Sequence, residues 1–179
     1  MTRYLLLLAF ACTFWSCEKD SLRVAFEMTY PENRFTVPAG LNTLESHYLF
    51  FRDIPTNKAF FFGETEESEI IEINPASAVL RADQRISDFS FAEEIVIRLC
   101  EDNQANINNV LQKCRREIFF RENIPFNTGR QVELLPNGNN LQPTLTGDNF
   151  NFVLVFRRNR AFTSAPIPAN LVMNFEARR

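Results

Sequence analysis

Tryptophan and histidine are almost missing from this chain, with one of each, Trp15 and His47, in 179 residues. A single histidine rules out His-rich zinc sites. It also leaves one candidate base for a Ser/His/acid triad, inside Glu45-Ser46-His47-Tyr48. Neighbours along a strand face opposite ways, so Ser46 and His47 do not converge, and no GxSxG elbow accompanies them. Glycine is scarce too. Its five copies are scattered and form neither GxGxxG nor a phosphate loop. No apolar run approaches the ~20 residues that cross a bilayer as a helix. There is no basic excess: the net charge is -3, which gives no support to nucleic-acid binding.

What is present starts at residue 3. Arg3 precedes an apolar stretch from Tyr4 to Trp15, followed by Ser16-Cys17-Glu18-Lys19-Asp20. A basic start, a short apolar run and a small residue before a cut are the parts of a secretory signal. Ser16-Cys17 resembles the processing site of bacterial lipoproteins, and Cys17-Glu18-Lys19-Asp20 is similar to the first residues of surface-exposed lipoproteins of the Bacteroidota. The resemblance covers only this leader. It implies a signal peptide over 1–16, lipid on Cys17, and a short tether over 17–21. It implies a home in the cell envelope, at the outer membrane and facing outward, with the membrane as a partner through acyl chains. Removing Arg3, the only charge before Cys17, takes the net charge from -3 to -4. Four extended tether residues reach about 13–15 Å, so the domain is expected to sit close to the bilayer.

Four cysteines are present. Cys12 leaves with the signal and Cys17 takes lipid. Cys100 and Cys114 remain as an even pair in an oxidising compartment, where a disulfide is the expected state.

Period-two alternation dominates the rest of the chain. Leu22, Val24, Phe26, Met28 and Tyr30 alternate with polar or small residues up to Pro31. Shorter runs follow at Phe35–Val37, His47–Arg52, Ala59–Phe62, Ile70–Ile73 and Ala78–Ala82. Further strands are expected over Glu94–Cys100, Arg116–Arg121, Val132–Leu135, Phe150–Phe156 and Leu171–Phe175. Proline marks many of the boundaries. The pattern predicts an all-β fold, an immunoglobulin-like antiparallel β-sandwich forming one domain over 22–179, with a barrel as the alternative. One short helix is expected near 104–113, because Ile107, Val110, Leu111 and Cys114 fall at i, i+3, i+4 and i+7.

Candidate chemistry is thin. The carboxylates Glu64, Glu66, Glu67 and Glu69 read as a solvated loop. The Asx-rich stretches near Asp102 and Asp148 read as turns, not calcium loops. No catalytic residue, metal site or cofactor is expected. Phe50 and Phe51, and Phe60 to Phe62, are consecutive aromatics that a strand must divide between its two faces, so one set can form a contact patch. Arg157, Arg158 and Arg160 are a basic cluster that reads as a solvated strand end or, as a candidate partner surface, as a site for an anionic group. The expectation is a non-enzymatic lipoprotein with a structural or protein-interaction role. The alternative is a glycan- or ligand-binding accessory module of an outer-membrane uptake system, with Tyr30 and Tyr48 as sugar platforms. The partner is then an envelope protein or a glycan.

Overall fold

The structure is a computed structural model that describes residues 22–63, 65–83 and 88–179. Cys17 and Glu64 lie outside the described residues. Eight strands carry the fold: β1 (Val24–Val37), β2 (His47–Pro55), β3 (Glu72–Ala82), β4 (Ala92–Cys100), β5 (Arg116–Arg121), β6 (Gln131–Pro136), β7 (Asn149–Asn159) and β8 (Ile167–Arg178). They form one curled antiparallel sheet in the order β1-β8-β3-β6-β5-β4-β7-β2. The long pairings fall into two groups, β1-β8-β3-β6 and β5-β4-β7-β2. Only Phe119↔Pro136 and Phe120↔Leu135 join them, at the β5–β6 corner.

The all-β, antiparallel part of the expectation holds. The immunoglobulin-like part is not confirmed. That arrangement places the first strand beside the second, as a hairpin neighbour. Here β1 pairs with β8, β2 with β7, β3 with β6 and β4 with β5. The chain behaves as a two-stranded ribbon, turned at β4–β5 and wound into two facing layers. The loops after β1, β2 and β3 are long enough to carry the chain across from one layer to the other.

Each strand's inward residues meet in a single core. β8 alternates buried and half-buried along its full length, with Leu171, Met173, Phe175 and Ala177 facing in. Phe150, Phe152, Leu154 and Phe156 answer from β7, and Ile95, Ile97 and Leu99 from β4. Several rings meet edge-on or stacked, including Phe51 on Phe152 at 4.4 Å and Tyr30 against Phe175 at 5.7 Å. β4 and β7 are buried on both faces over much of their length. Behind them Val96, Val153 and Val155 pack with Cys100 at the end of β4 and with Ala105, Val110 and Cys114 from the β4–β5 loop. This cover explains the apolar second face of the Phe150–Phe156 run.

Three local expectations change. Pro31 does not end β1, which runs on to Val37 past a register shift between Tyr30 and Asn33. Proline is tolerated at an edge strand and a bulge, and the Asn33 amide braces the shift by donating to Leu171 O at 3.1 Å. Ala59–Phe62 is not a strand but part of a short helix, α1 (Lys58–Phe62), that ends at Gly63 with φ 54°. In an alternating strand, Phe60 and Phe62 would share a face. The helix instead leaves Phe60 82 % exposed, sends Phe62 against Phe26 at 5.1 Å, and sets Phe61 beside Tyr30 at 5.6 Å.

The helix expected near 104–113 shrinks to one turn, α2 (Val110–Lys113). Val110 and Cys114 are buried as the stripe requires, but Ile107 and Leu111 are exposed. Short polar side chains hold residues 102–109 in turns instead. Asp102 Oδ1 accepts from Gln104 N, Asn106 Oδ1 from Asn108 N, and Asn109 Oδ1 from Asn106 N. Such bonds compete with the helical ladder. A third short helix, α3 (Gln142–Leu145), was not foreseen; Leu145 seats it in the core.

Cys100 and Cys114 form a disulfide, joining the end of β4 to the residue after α2. Inside the loop it closes, Glu101 N donates to Lys113 O, and Lys113 Nζ meets Asp102 Oδ2 at 2.6 Å. The hydrogen bond from Lys113 holds the Asp102 carboxyl below the usual carboxylate range. For a loop of 14 residues' separation, loss of the bridge as C100S/C114S is expected to cost about 3 kcal/mol in urea unfolding. An unchanged midpoint would show that the covering loop holds without it.

Candidate functional site

Successive strands run in opposite directions, so the loops alternate between the two ends of the molecule. One end gathers the described residues of β1–β2 (38–46), β3–β4 (83 and 88–91), β5–β6 (122–130) and β7–β8 (160–166). The other gathers the β2–β3, β4–β5 and β6–β7 loops together with residue 22 and the C-terminus. Backbone bonds tie the first group together: Gly40 N to Thr163 O at 2.8 Å, Phe89 N to Gly129 O at 3.0 Å, and Arg160 N to Phe91 O at 2.8 Å. Thr163 is buried, with its hydroxyl donating to Pro38 O at 3.1 Å and accepting from Leu41 N at 2.9 Å.

Between these loops opens a cleft of about 450 Å³. Phe126 and Phe162 line it and are 74 % and 62 % exposed, while Phe91 and Ile167 line it as buried residues. Asp88, Ser90 and Ser164 bring polar groups to it. Asp88 Oδ1 accepts from both the amide and the hydroxyl of Ser90, at 3.0 and 2.6 Å. Large aromatic rings held in solvent beside a concave, partly polar site are what a binding site asks for. Exposing them in isolated loops has no packing reason.

The arginine cluster is distributed among separate partners. Arg157 pairs with Glu94, and with Glu117 at 3.2 Å. Arg98 approaches the same Glu117 oxygen at 3.7 Å, and Arg158 lies 3.6 Å from Glu94. Glu94 is buried, so this network neutralises a carboxylate inside the sheet. Arg160 does something else: its guanidinium donates to Ile124 O at 2.6 Å and Ser90 O at 3.4 Å, bracing two loops of the cleft.

The five phenylalanines do not share one surface either. Phe51 and Phe61 pack against the main core and Phe62 belongs to it. Phe50 lies on the opposite face of β2, against the second cluster, with the Arg52 guanidinium 5.5 Å from its ring centre. Only Phe60 is largely exposed. His47 and Ser46 find separate backbone partners, His47 Nε2 at 3.1 Å from Asn42 O and Ser46 Oγ donating to Arg157 O at 3.3 Å. Tyr30 is buried and donates its hydroxyl to Thr56 O at 2.8 Å; burial pushes its pKa up. It is therefore a core residue and not a sugar platform. Tyr48 is half-buried on the outer face, 6.4 Å from the Phe50 ring. Among the described residues, no group of three or more His, Cys, Asp or Glu side chains is placed to hold a metal, and no helix is long and apolar enough to cross a membrane.

Sequence reasoning passed over Phe126 and Phe162. The available signal was their setting: Pro125-Phe126-Asn127 and Ala161-Phe162-Thr163 each put one large ring in a loop with no alternation around it.

No family model matches the sequence, and no curated protein does. Among solved structures, the chain is similar to that of tomato aspermy virus, at 11 % identity and a TM-score of 0.39, covering 100 % of this chain and 95 % of that one. It is similar to desmodium yellow mottle tymovirus at 11 % identity and 0.31, covering 89 % of each chain. The BFDV capsid protein stands at 8 % identity and 0.35, covering 89 % of this chain and 100 % of that one. Likenesses this remote carry nothing about function.

The geometry separates two kinds of residue by experiment. Glu94→Ala removes the buried carboxylate that engages Arg157 and leaves that half-buried guanidinium with Glu117 alone, and is expected to lower stability by about 1 to 2 kcal/mol. Phe126→Ala and Phe162→Ala are expected to stay within about 0.5 kcal/mol of the parent, as exposed positions do. Urea melts of the three variants check both statements.

Proposed function

We propose that this protein is an exported, lipid-anchored, non-enzymatic interaction module that holds a loop-built aromatic cleft away from the membrane. The observation that carries the reading is the placement of two exposed rings, Phe126 and Phe162, at the end of the sheet opposite residue 22. With acyl chains on Cys17, the chain would leave the bilayer at the near end. The cleft would then stand off by the length of a strand. For the 11 residues of β7 that is about 35 Å. The finer fold we favour is a jelly roll, on the pairing of β1 with β8, β2 with β7, β3 with β6 and β4 with β5.

A protein partner is the first reading. A glycan is the second, favoured by Asp88, Ser90 and Ser164 lying beside the two rings; stacking on an aromatic face with hydroxyls bonded at its rim suits a sugar. Phe50 and the Arg157–Arg158 network are less suited to a partner, because their neighbours already engage them.

The test uses the full chain in its native host. A photoreactive residue at position 126 or 162 is expected to give a discrete cross-linked adduct in intact cells, and one at the exposed Glu133 on β6 none. Equal labelling from all three sites, or none, refutes the cleft. A glycan array that loses signal with F126A/F162A assigns the occupant to sugar. Cys17→Ser is expected to move the protein from the membrane to the soluble fraction; retention in the membrane refutes the anchor.

A further inference from the structure

We infer that the end of the domain carrying residue 22 rests directly on the lipid surface, through apolar side chains that the fold leaves in solvent. This rests on the lipid-anchor reading of Cys17 and adds to it a surface and an orientation.

Five of the nine large apolar side chains that the described residues expose lie on segments that begin, end or connect strands at this end. They are Val24, Phe60, Ile71, Ile107 and Leu111, at 51 %, 82 %, 58 %, 66 % and 68 % exposure. They come from separate pieces of chain: the start of β1, α1, the entry to β3, and the disulfide-closed loop. Three of them form one group tied by backbone pairing, since Val24 registers with Arg178 and Ile71 N donates to Arg178 O at 2.9 Å. Phe60 joins them through α1, whose Phe62 packs on Phe26 of β1 at 5.1 Å.

The other two residues form a second group on the loop that covers β4 and β7. The Cys100–Cys114 bridge, the Glu101 N to Lys113 O bond and the Lys113–Asp102 pair fix the loop that presents Ile107 and Leu111. A loop so constrained does not expose two aliphatic side chains for want of order. Exposed apolar groups gathered from several elements at one end mark a surface that something covers.

The length of chain between this end and Cys17 says what covers it. Arg23 is locked to Arg179 by two backbone hydrogen bonds, at 2.9 and 3.0 Å. From Arg23 back to Cys17 is six residue steps, a reach of at most about 20–22 Å. Acyl chains on Cys17 would therefore hold the bilayer within that distance of Arg23, which brings this end of the domain nearest to it. Side chains of the Phe, Ile and Leu type insert at the boundary between headgroups and acyl chains.

The charges at this end are of both signs, Arg115 and Arg116 standing with Glu66, Glu67 and Glu101, and several are paired: Lys58 with Asp148 at 3.1 Å, Lys113 with Asp102, and Arg179 with Glu69 at 3.5 Å. A polybasic attraction is thus not what brings the surface down, and the contact should depend little on salt.

The sequence supplies a silent background for the test. Trp15 is the only tryptophan and precedes Cys17, so the processed chain has none. The full-length protein, purified from its host, is prepared as Phe60→Trp, Leu111→Trp and Phe162→Trp. Each is placed in phosphatidylethanolamine–phosphatidylglycerol vesicles with and without nitroxide-labelled lipid, and its Cys17 peptide is weighed by mass spectrometry. With Cys17 acylated, emission at positions 60 and 111 is expected to shift to shorter wavelength and be quenched by the lipid nitroxide, with position 162 unaffected. Acylated protein in which no position responds, or in which 162 responds equally, overturns the contact and leaves the anchor standing. Unmodified Cys17 overturns both.

Discussion

The central position of the two long C-terminal strands is the constraint on which this molecule depends. β8 lies between β1 and β3, and β7 between β2 and β4. Each therefore supplies both ladders of a neighbouring pair, and each faces the core with phenylalanine, leucine or methionine. Neither layer can close until residues 149–178 are available, because the strands made earlier have no partners of their own beyond β4–β5, β5–β6 and β3–β6. Such long-range pairing makes for slow folding. It also accounts for the edges. β1 and β2, the two unpaired borders of the curled sheet, are broken by register shifts, and α1 lies where they approach each other, with Phe61 and Phe62 against Tyr30 and Phe26. Bulges and covered edges of this kind limit pairing with other chains.

The same winding divides the molecule into two ends with different chemistry. At one, four loops are tied by backbone bonds and by Thr163 and Arg160, so that two phenylalanine rings stand over a cleft instead of collapsing into it. At the other, the chain enters and leaves, and a disulfide-closed loop lies across the outer face of β4 and β7. That loop gives one layer a second apolar cluster, while the outer face of the β1-β8-β3-β6 layer remains half-buried or wet. A binding reading and a resting-surface reading thus occupy opposite ends of one rigid body and do not compete for the same residues.

Where the sequence misled, the causes are local and identifiable. The i, i+3, i+4, i+7 spacing of Ile107, Val110, Leu111 and Cys114 is a real helical pattern, but Asp102, Asn106 and Asn109 offered the backbone other partners and won all but one turn. Pro31 looked like a terminus because proline breaks interior strands; β1 is an edge, where the missing donor costs nothing. Tyr30 looked like a platform because it carries a polar handle, yet its hydroxyl is spent on Thr56 O inside the core. Arg157, Arg158 and Arg160 are close in sequence yet divide their partners, Arg157 engaging Glu94 and Glu117, Arg158 standing largely exposed 3.6 Å from Glu94, and Arg160 reaching two loop carbonyls.

Alternation by itself determined that the protein is built of half-buried strands and which residues on each strand point inward, because both depend on neighbours a few positions away; the Cys100–Cys114 pair was expected from counting the cysteines outside the leader, and the structure forms it. Pairing order, the cover over β4 and β7, and the placement of Phe126 and Phe162 on one cleft were decided only by the tertiary structure. The physical reason is that a period-two pattern says which face of a strand is apolar and nothing about which strand lies beside it. Loops carry no period at all, so the side chains they bring together become neighbours only when the wound sheet sets their ends in place.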